Sequence, residues 1–368
     1  MSNQNQQMQN ILNLREIIQN VKFPKMRRFL EQARSKNIYT ESGNDCPENP
    51  ERSSFCPIKD IAEENLRMLK DINTGKSLIR GVATGFEELD RMTSGLQNSD
   101  LIVISGYTGI GKTAFVHNIS QYVTLETKIP VAYFSLELSK NQLFLRILAS
   151  EARVDLGRIC KGFLGKDNWI RLKTASEKIS SSPLYIFDTP AITIHEVQTT
   201  ARRMKANEGL GLIIVDNIQL MQAEGFRNTR DREISEITHS LKALAMELQI
   251  PVIAISQLNR RADNSQTLHP NITDLRDSGA IEQDANVILF ICRDKIRKKN
   301  IDIPEEKITE IVIAKHSNGP TGSFKLAFLE RFTRFENFAP MGREVEEAAK
   351  NKIEENLAAI EAAFKSEF

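Results

Sequence analysis

Thirteen residues, Leu101 to Thr113 (LIVISGYTGIGKT), constrain this chain more than any other stretch. Leu101 to Ser105 are apolar or small and rich in β-branched types, the composition of a strand buried on both faces. Gly106 to Thr113 then fits G-x-x-x-x-G-K-[ST] without a gap. Beyond it Ala114, Phe115, Val116, Ile119, Tyr122 and Val123 recur at helical spacing, so a helix opens where the loop ends. Polyphosphate needs backbone N–H groups converging on its oxygens, and glycines let the chain wrap that closely. The helix N-terminus adds partial positive charge at the same spot. The pattern therefore implies a nucleoside triphosphate, ATP being the natural candidate. Gly106, Thr108, Gly109, Gly111 and Ala114 frame the cradle, Lys112 reaches the β- and γ-phosphates, and the Thr113 hydroxyl meets Mg²⁺.

Charge argues for no partner in bulk: 49 Lys+Arg stand against 48 Asp+Glu, a formal net of +1. Any nucleic-acid contact must come from local clusters. Cys46, Cys56, Cys160 and Cys292 lack C-x-x-C spacing, which speaks against a zinc site or disulfide framework and fits a reducing cytoplasm. No apolar run approaches the roughly 18 residues of a membrane span, and the N-terminus lacks the apolar core of a signal peptide.

Four regions follow from the pattern. Residues 1–55 read as a short basic helical arm, with seven Lys/Arg against Glu16 and Glu31 up to residue 37, and then a turn-rich linker. The arm's basic face is either simply solvated or a contact for DNA or a partner protein. Residues 56–79 hold one helix with an apolar face at Ile58, Ile61, Ala62, Leu66 and Leu69. Residues 80–340 carry an α/β pattern, with β-type runs at Val131–Leu136, Leu184–Phe187, Leu212–Val215, Val252–Ile255, Val287–Ile291 and Ile308–Ala314. Helical patterns at Asn141–Arg153, Ile194–Asn207 and Arg232–Leu248 separate them, implying a mostly parallel sheet covered on both faces. Phe324–Phe338 reads as a terminal hairpin, and 341–368 as an acidic amphipathic helix.

Using ATP takes more than a cradle. Leu212 to Asp216 ends a buried strand with an acid, the form of a Walker B carboxylate for Mg²⁺. Glu137 follows another strand end, where a general base can polarise water. Gln257 ends a third and can hydrogen-bond the γ-phosphate.

In this order the set resembles the RecA-like motor domain of DnaB-type replicative helicases, from about Ile58 to Ala339. The resemblance is carried by Gly81-Val-Ala-Thr-Gly85, Gly109-Ile-Gly-Lys-Thr113, Phe134-Ser-Leu-Glu137, Ile214-Val-Asp-Asn-Ile-Gln-Leu-Met221 and Ser256-Gln-Leu-Asn-Arg260. Asp274-Leu-Arg-Asp-Ser-Gly279 and Asn318-Gly-Pro320 continue it. It implies a P-loop NTPase core preceded by a linker helix that docks on the adjacent subunit. It implies a ring, usually of six, around single-stranded DNA, moving 5′→3′, with Glu137 as base and Asp216 on Mg²⁺. Initiators, loaders or primase are the partners that such motors take. Loops 222–232 and 259–274 then supply Arg227, Arg230, Arg232, Arg260 and Arg261 to the DNA backbone.

Three departures stand out. The family commonly reads Lys-x-Arg-Asn-Gly where this chain has Lys315-His-Ser317-Asn-Gly319, so Lys315 remains but a serine replaces the arginine finger. Such fingers are worth about 10³–10⁵ in rate, so slow intrinsic hydrolysis is expected. Asn217 also stands where the family often has Tyr, with little consequence expected. Finally, the family's helical N-terminal domain is longer than the 55 residues here, so primase stimulation is not carried over. The readings are an unwinding motor and, as rival, a DNA-binding ATPase of weak hydrolysis that accompanies replication or recombination.

Overall fold

The computed structural model describes residues 79–338 apart from 224, 226–229, 259–269, 276–277 and 294–305, and of the earlier chain only Ile58, Ala62 and Leu66. The basic arm, its linker, the acidic C-terminal stripe, Arg227, Arg260 and Arg261 thus lie outside the described residues. Ile58, Ala62 and Leu66 are helical and exposed. The chain divides into two compact units, Met1–Asn73 and Thr74–Phe368, and every element below belongs to the second.

A nine-stranded sheet in the order β3-β2-β4-β5-β1-β6-β7-β8-β9 forms its centre. β1 (Leu101–Gly106) lies between β5 (Val252–Gln257) and β6 (Val287–Cys292), parallel to both. β2 (Val131–Ser135), β3 (Leu184–Phe187) and β4 (Leu212–Asp216) extend the parallel part. β7 (Glu306–His316), β8 (Gly322–Leu329) and β9 (Arg334–Asn337) add an antiparallel meander, which includes the expected hairpin.

The sheet is covered on both sides because its strands are apolar on both. Ile102 and Ile104 point into one core, and Leu101 and Val103 into the other. The first core is closed by α2 (Lys112–Tyr122), α3 (Lys140–Ala152) and α5 (Lys166–Ser180), through Phe115, Ile119, Leu143, Ile147, Leu172 and Ile179. The second is closed by α6 (Ile194–Glu208), α7 (Arg230–Leu248) and α8 (Ser278–Asp284), through Val197, Met204, Ile237, Leu241 and Ile281. Short helices α1 (Glu87–Thr93) and α4 (Leu156–Lys161) complete the described set. No helix among the described residues is long and apolar enough to cross a membrane.

The meander is welded to α2 by aromatics. Phe115 stacks on Phe86 at 4.9 Å and meets Phe335 edge-on at 5.5 Å, while Phe335 stacks on Phe328 at 4.4 Å. Each such pair adds about 0.5–1.5 kcal/mol beyond burial, which fixes the helix that opens at the glycine loop.

Candidate active site

The loop turns where the sequence allows it. A Cβ on Gly106 would stand 2.8 Å from the Ile291 carbonyl oxygen of the neighbouring strand, and Gly111 sits at φ +109°. At Gly109 φ is +76°, and Thr108 is exposed at the tip. Ala114, buried in the first turn of α2, anchors the far end. α3 and α6 start with complete capping boxes, Ser139 with Gln142 and Thr193 with Glu196. α2 has no side-chain cap and no acid in its first turn. The positive end of its dipole therefore meets no acid of its own first turn, which suits an anion there. The Lys112 ammonium donates to the carbonyls of Gly106 at 2.8 Å and Tyr107 at 3.1 Å, which keeps it inside the cradle.

Two carboxylates stand at or just past the ends of neighbouring strands β4 and β2, on the side of the sheet where this loop lies. Asp216 ends β4, and its pKa is raised by burial to about 6; Glu137 adds to the rise, while hydrogen bonds from Thr113 and Tyr133 and the Lys112 charge oppose it. Tyr133 Oη donates to Asp216 Oδ2 at 3.2 Å, and burial followed by the Asp216 charge pushes the phenol's own pKa up, so it remains a donor. Asp216 Oδ1 has no hydrogen-bond partner among the described residues. A desolvated carboxylate with one unspent oxygen beside a threonine hydroxyl is the donor set that a magnesium–nucleotide needs, so the residues fit both groups. Glu137, just past β2, is exposed and accepts from Asn217 Nδ2 at 3.2 Å. The Asp216–Asn217 peptide is cis.

Gln257 ends β5 in the same row as Gly106, which brings it to the loop's edge. Its N–H donates to Gln219 Oε1 at 3.2 Å, and Gln219 Nε2 donates to Ser256 Oγ at 2.9 Å. The Gln219 carbonyl in turn accepts from Arg230 Nη2 at 2.9 Å, as does that of Met221 at 3.2 Å. Arg230 also pairs with Glu233 and is half-buried, so its guanidinium braces the root of the 222–232 loop; Arg232 is exposed.

Two residues to which the sequence assigns no role of their own join the site. Arg293, following β6, donates from Nη2 to Ile110 O at 2.8 Å and lies 4.9 Å over the Phe328 ring. It thereby ties the phosphate loop to the meander. Gln219 is the other. Both act across long sequence separations, which leaves no local signature to read.

Lys315 sits elsewhere. It pairs with Ile288, and Ile288 with Val103, three rows short of Gly106 along β1, or about 10 Å. Its ammonium donates to Glu282 O at 2.6 Å and Gln283 O at 3.4 Å, at the end of α8 that leads into β6. Ser317 follows in the exposed turn, its N–H on Asn286 O at 2.9 Å. Both therefore lie at the sheet edge opposite their own phosphate loop.

The family model for the DnaB-like helicase C terminal domain matches residues 81–337. The replicative DNA helicase DnaB of Geobacillus stearothermophilus is 42% identical over 285 residues, 77% of this chain and 62% of that protein. The replicative DNA helicase DnaC of Bacillus subtilis (strain 168) is 41% identical over 286 residues, 77% and 63% respectively. The chain thus covers under two thirds of the length of these two relatives. Among solved structures, one described as an ATPase domain superposes with a TM-score of 0.70 at 32% identity, over 76% of this chain and 99% of that one. A DnaB-like replicative helicase, described with its interactions with primase, gives 0.69 at 29% identity, over 91% and 77%.

Proposed function

The chain belongs to the DnaB-like helicase C-terminal domain family, and from that premise we propose that it is an ATP-driven replicative DNA helicase, a ring motor that moves 5′→3′ on single-stranded DNA. The observation that carries the motor reading is the division of the site between two sheet edges. Lys112, Thr113, Glu137, Asp216 and Gln257 gather at one edge, and Lys315 stands at the other. If Lys315 serves a phosphate, as the family resemblance implies, that phosphate is on a second copy of the chain, with subunits arranged head to tail.

In this reading the loop N–H groups and Lys112 hold the triphosphate, and Gln257 contacts the γ-phosphate. Glu137 takes the proton of the attacking water as its oxygen bonds the γ-phosphorus and the bond to the bridging oxygen of ADP breaks. Mg²⁺ supplies charge neutralisation between Thr113 and Asp216 when bound. Arg232 contacts the DNA backbone together with Arg227, Arg260 and Arg261, and Arg230 shapes the loop that carries them. Binding then weakens with salt at a log–log slope near −0.7 per contact.

The helix marked by Ile58, Ala62 and Leu66 docks on the adjacent subunit, as its exposed apolar positions suggest. Phe163, Trp169 and Ile170, at 73%, 61% and 65% exposure, give a second apolar surface for a neighbouring copy. Six subunits, a cytoplasmic site of action, and an initiator, loader or primase as further partner belong to the same proposal.

Unwinding of a forked duplex with ATP tests it, beside Lys112→Ala, expected to lose nucleotide binding, and Glu137→Gln, expected to bind without turnover. ATP turnover with no strand separation would favour the accessory ATPase instead, the reading that Ser317 in place of the arginine finger supports.

A further inference from the structure

Tyr133 on β2 and Asn217 after β4 form a reciprocal brace. β2 and β4 are hydrogen-bonded neighbours, with Tyr133 beside Ile214 and Ser135 beside Asp216. Each strand carries one reactive carboxylate at its end, and each donates one neutral hydrogen bond to the carboxylate of the other. Tyr133 holds Asp216, and Asn217 holds Glu137. The backbone repeats the link, with Leu136 N donating to Asp216 O at 2.7 Å.

Stability alone does not account for Asn217. It is 1% exposed, and its Oδ1 is a buried acceptor without a partner among the described residues. A carboxamide buried with its carbonyl unspent costs folding free energy, so an apolar residue of the same shape would serve the core better. What the amide supplies is a donor directed at the exposed carboxylate of Glu137. Left to itself, an exposed glutamate samples several rotamers, and a base displaced by an ångström loses much of its effect.

We propose that Asn217 is the positioning residue for Glu137, holding one carboxylate oxygen so that the other is presented to the attacking water. The inference rests on the assignment of Glu137 as general base. It also assigns a consequence to the departure from the family's usual tyrosine at this position. A neutral donor suits the task, since a cation there would draw charge from the base and a carboxylate would repel it.

The test is steady-state ATP hydrolysis by the full chain carrying Asn217→Leu, which keeps the branched shape and removes the amide. Affinity for a non-hydrolysable ATP analogue and the melting temperature are measured alongside. The expected result is a fall in kcat of about 10–100-fold, with analogue affinity unchanged and a melting temperature equal to or above that of the wild type. In a Glu137→Gln background, adding Asn217→Leu leaves the residual turnover where it was. Wild-type kcat in Asn217→Leu, with Glu137→Gln inactive, overturns the proposal. So does a loss of turnover matched by losses of affinity and melting temperature, the mark of a merely structural residue. Full turnover by Glu137→Gln removes the base assignment itself, and the role of Asn217 with it.

Discussion

His117 sets a limit on how far this domain tolerates acid. It lies on α2, five residues past Lys112, fully buried, with Asn118 Nδ2 at 3.1 Å from Nδ1 and no partner for Nε2 among the described residues. Burial, with the Arg146 and Arg334 charges adding to it, lowers its pKa from 6.5 to about 3. Between those values the unfolded chain binds a proton that the folded chain refuses. The imidazole's contribution is therefore intact above pH 6.5 and is lost as pH falls toward 3. At ~1.4 kcal/mol per unit, lowering the pH from 7 to 5 removes about 2 kcal/mol, and going below 3 removes about 5 kcal/mol. Asp216 works in the opposite sense: its raised pKa makes the folded state bind the extra proton between 3.8 and about 6, so it costs stability as pH rises. The two trends overlap in the wild-type curve. The informative quantity is thus the difference between wild type and His117→Gln, in which Asp216 cancels. Thermal unfolding at pH 7 and pH 5 should show the wild type losing roughly 4–8 °C more than the variant. A difference independent of pH would refute the reasoning, since it would mean that the buried imidazole accepts its proton as readily as an exposed one.

Arg293→Met removes the hydrogen bond to Ile110 O, and nucleotide affinity should fall roughly 10–100-fold, with Arg293→Lys little better; unchanged affinity for a fluorescent ATP analogue would remove this residue from the loop's support. Trp169 is the chain's only tryptophan, so its emission should shift to the blue when copies associate; association seen by mass with no shift would place the interface elsewhere. Ser317→Arg should raise ATP turnover at least tenfold, by restoring a guanidinium at the far edge; no gain would show that the serine costs nothing.

The strands are legible in the sequence because each is a continuous apolar run, and the glycine loop because its residue types and its flanking strand and helix coincide. The run Leu184–Phe187 matches β3 to the residue, and β4 only gains Asp216 at its end. The pattern does not delimit α5: only Leu172, Ala175 and Ile179 of its fifteen residues are buried, and Trp169 and Ile170 face outward against the amphipathic pattern. Within the site, Lys112, Thr113, Asp216, Glu137 and Gln257 converge because each ends or follows a parallel strand or opens a helix at one edge. Gln219, Arg293 and the contact from Asn217 to Glu137 have no such signal, since they are made between segments 37 to 183 residues apart. Arg230 carries the same charge as its neighbours in the sequence, and only its contacts with Glu233 and two carbonyls separate it from Arg232.

Mixing two slow variants shows whether the site is shared between copies. Glu137→Gln has no base but an intact Lys315, and Lys315→Ala has an intact phosphate edge but no lysine to offer its neighbour. Each alone should turn over ATP slowly. Mixed in equal amounts and allowed to exchange subunits, about a quarter of the contacts pair an intact phosphate edge with an intact Lys315. The mixture should regain up to that fraction of wild-type turnover. Turnover no higher than that of the two variants measured apart, with mixed assemblies confirmed by mass, would contradict it.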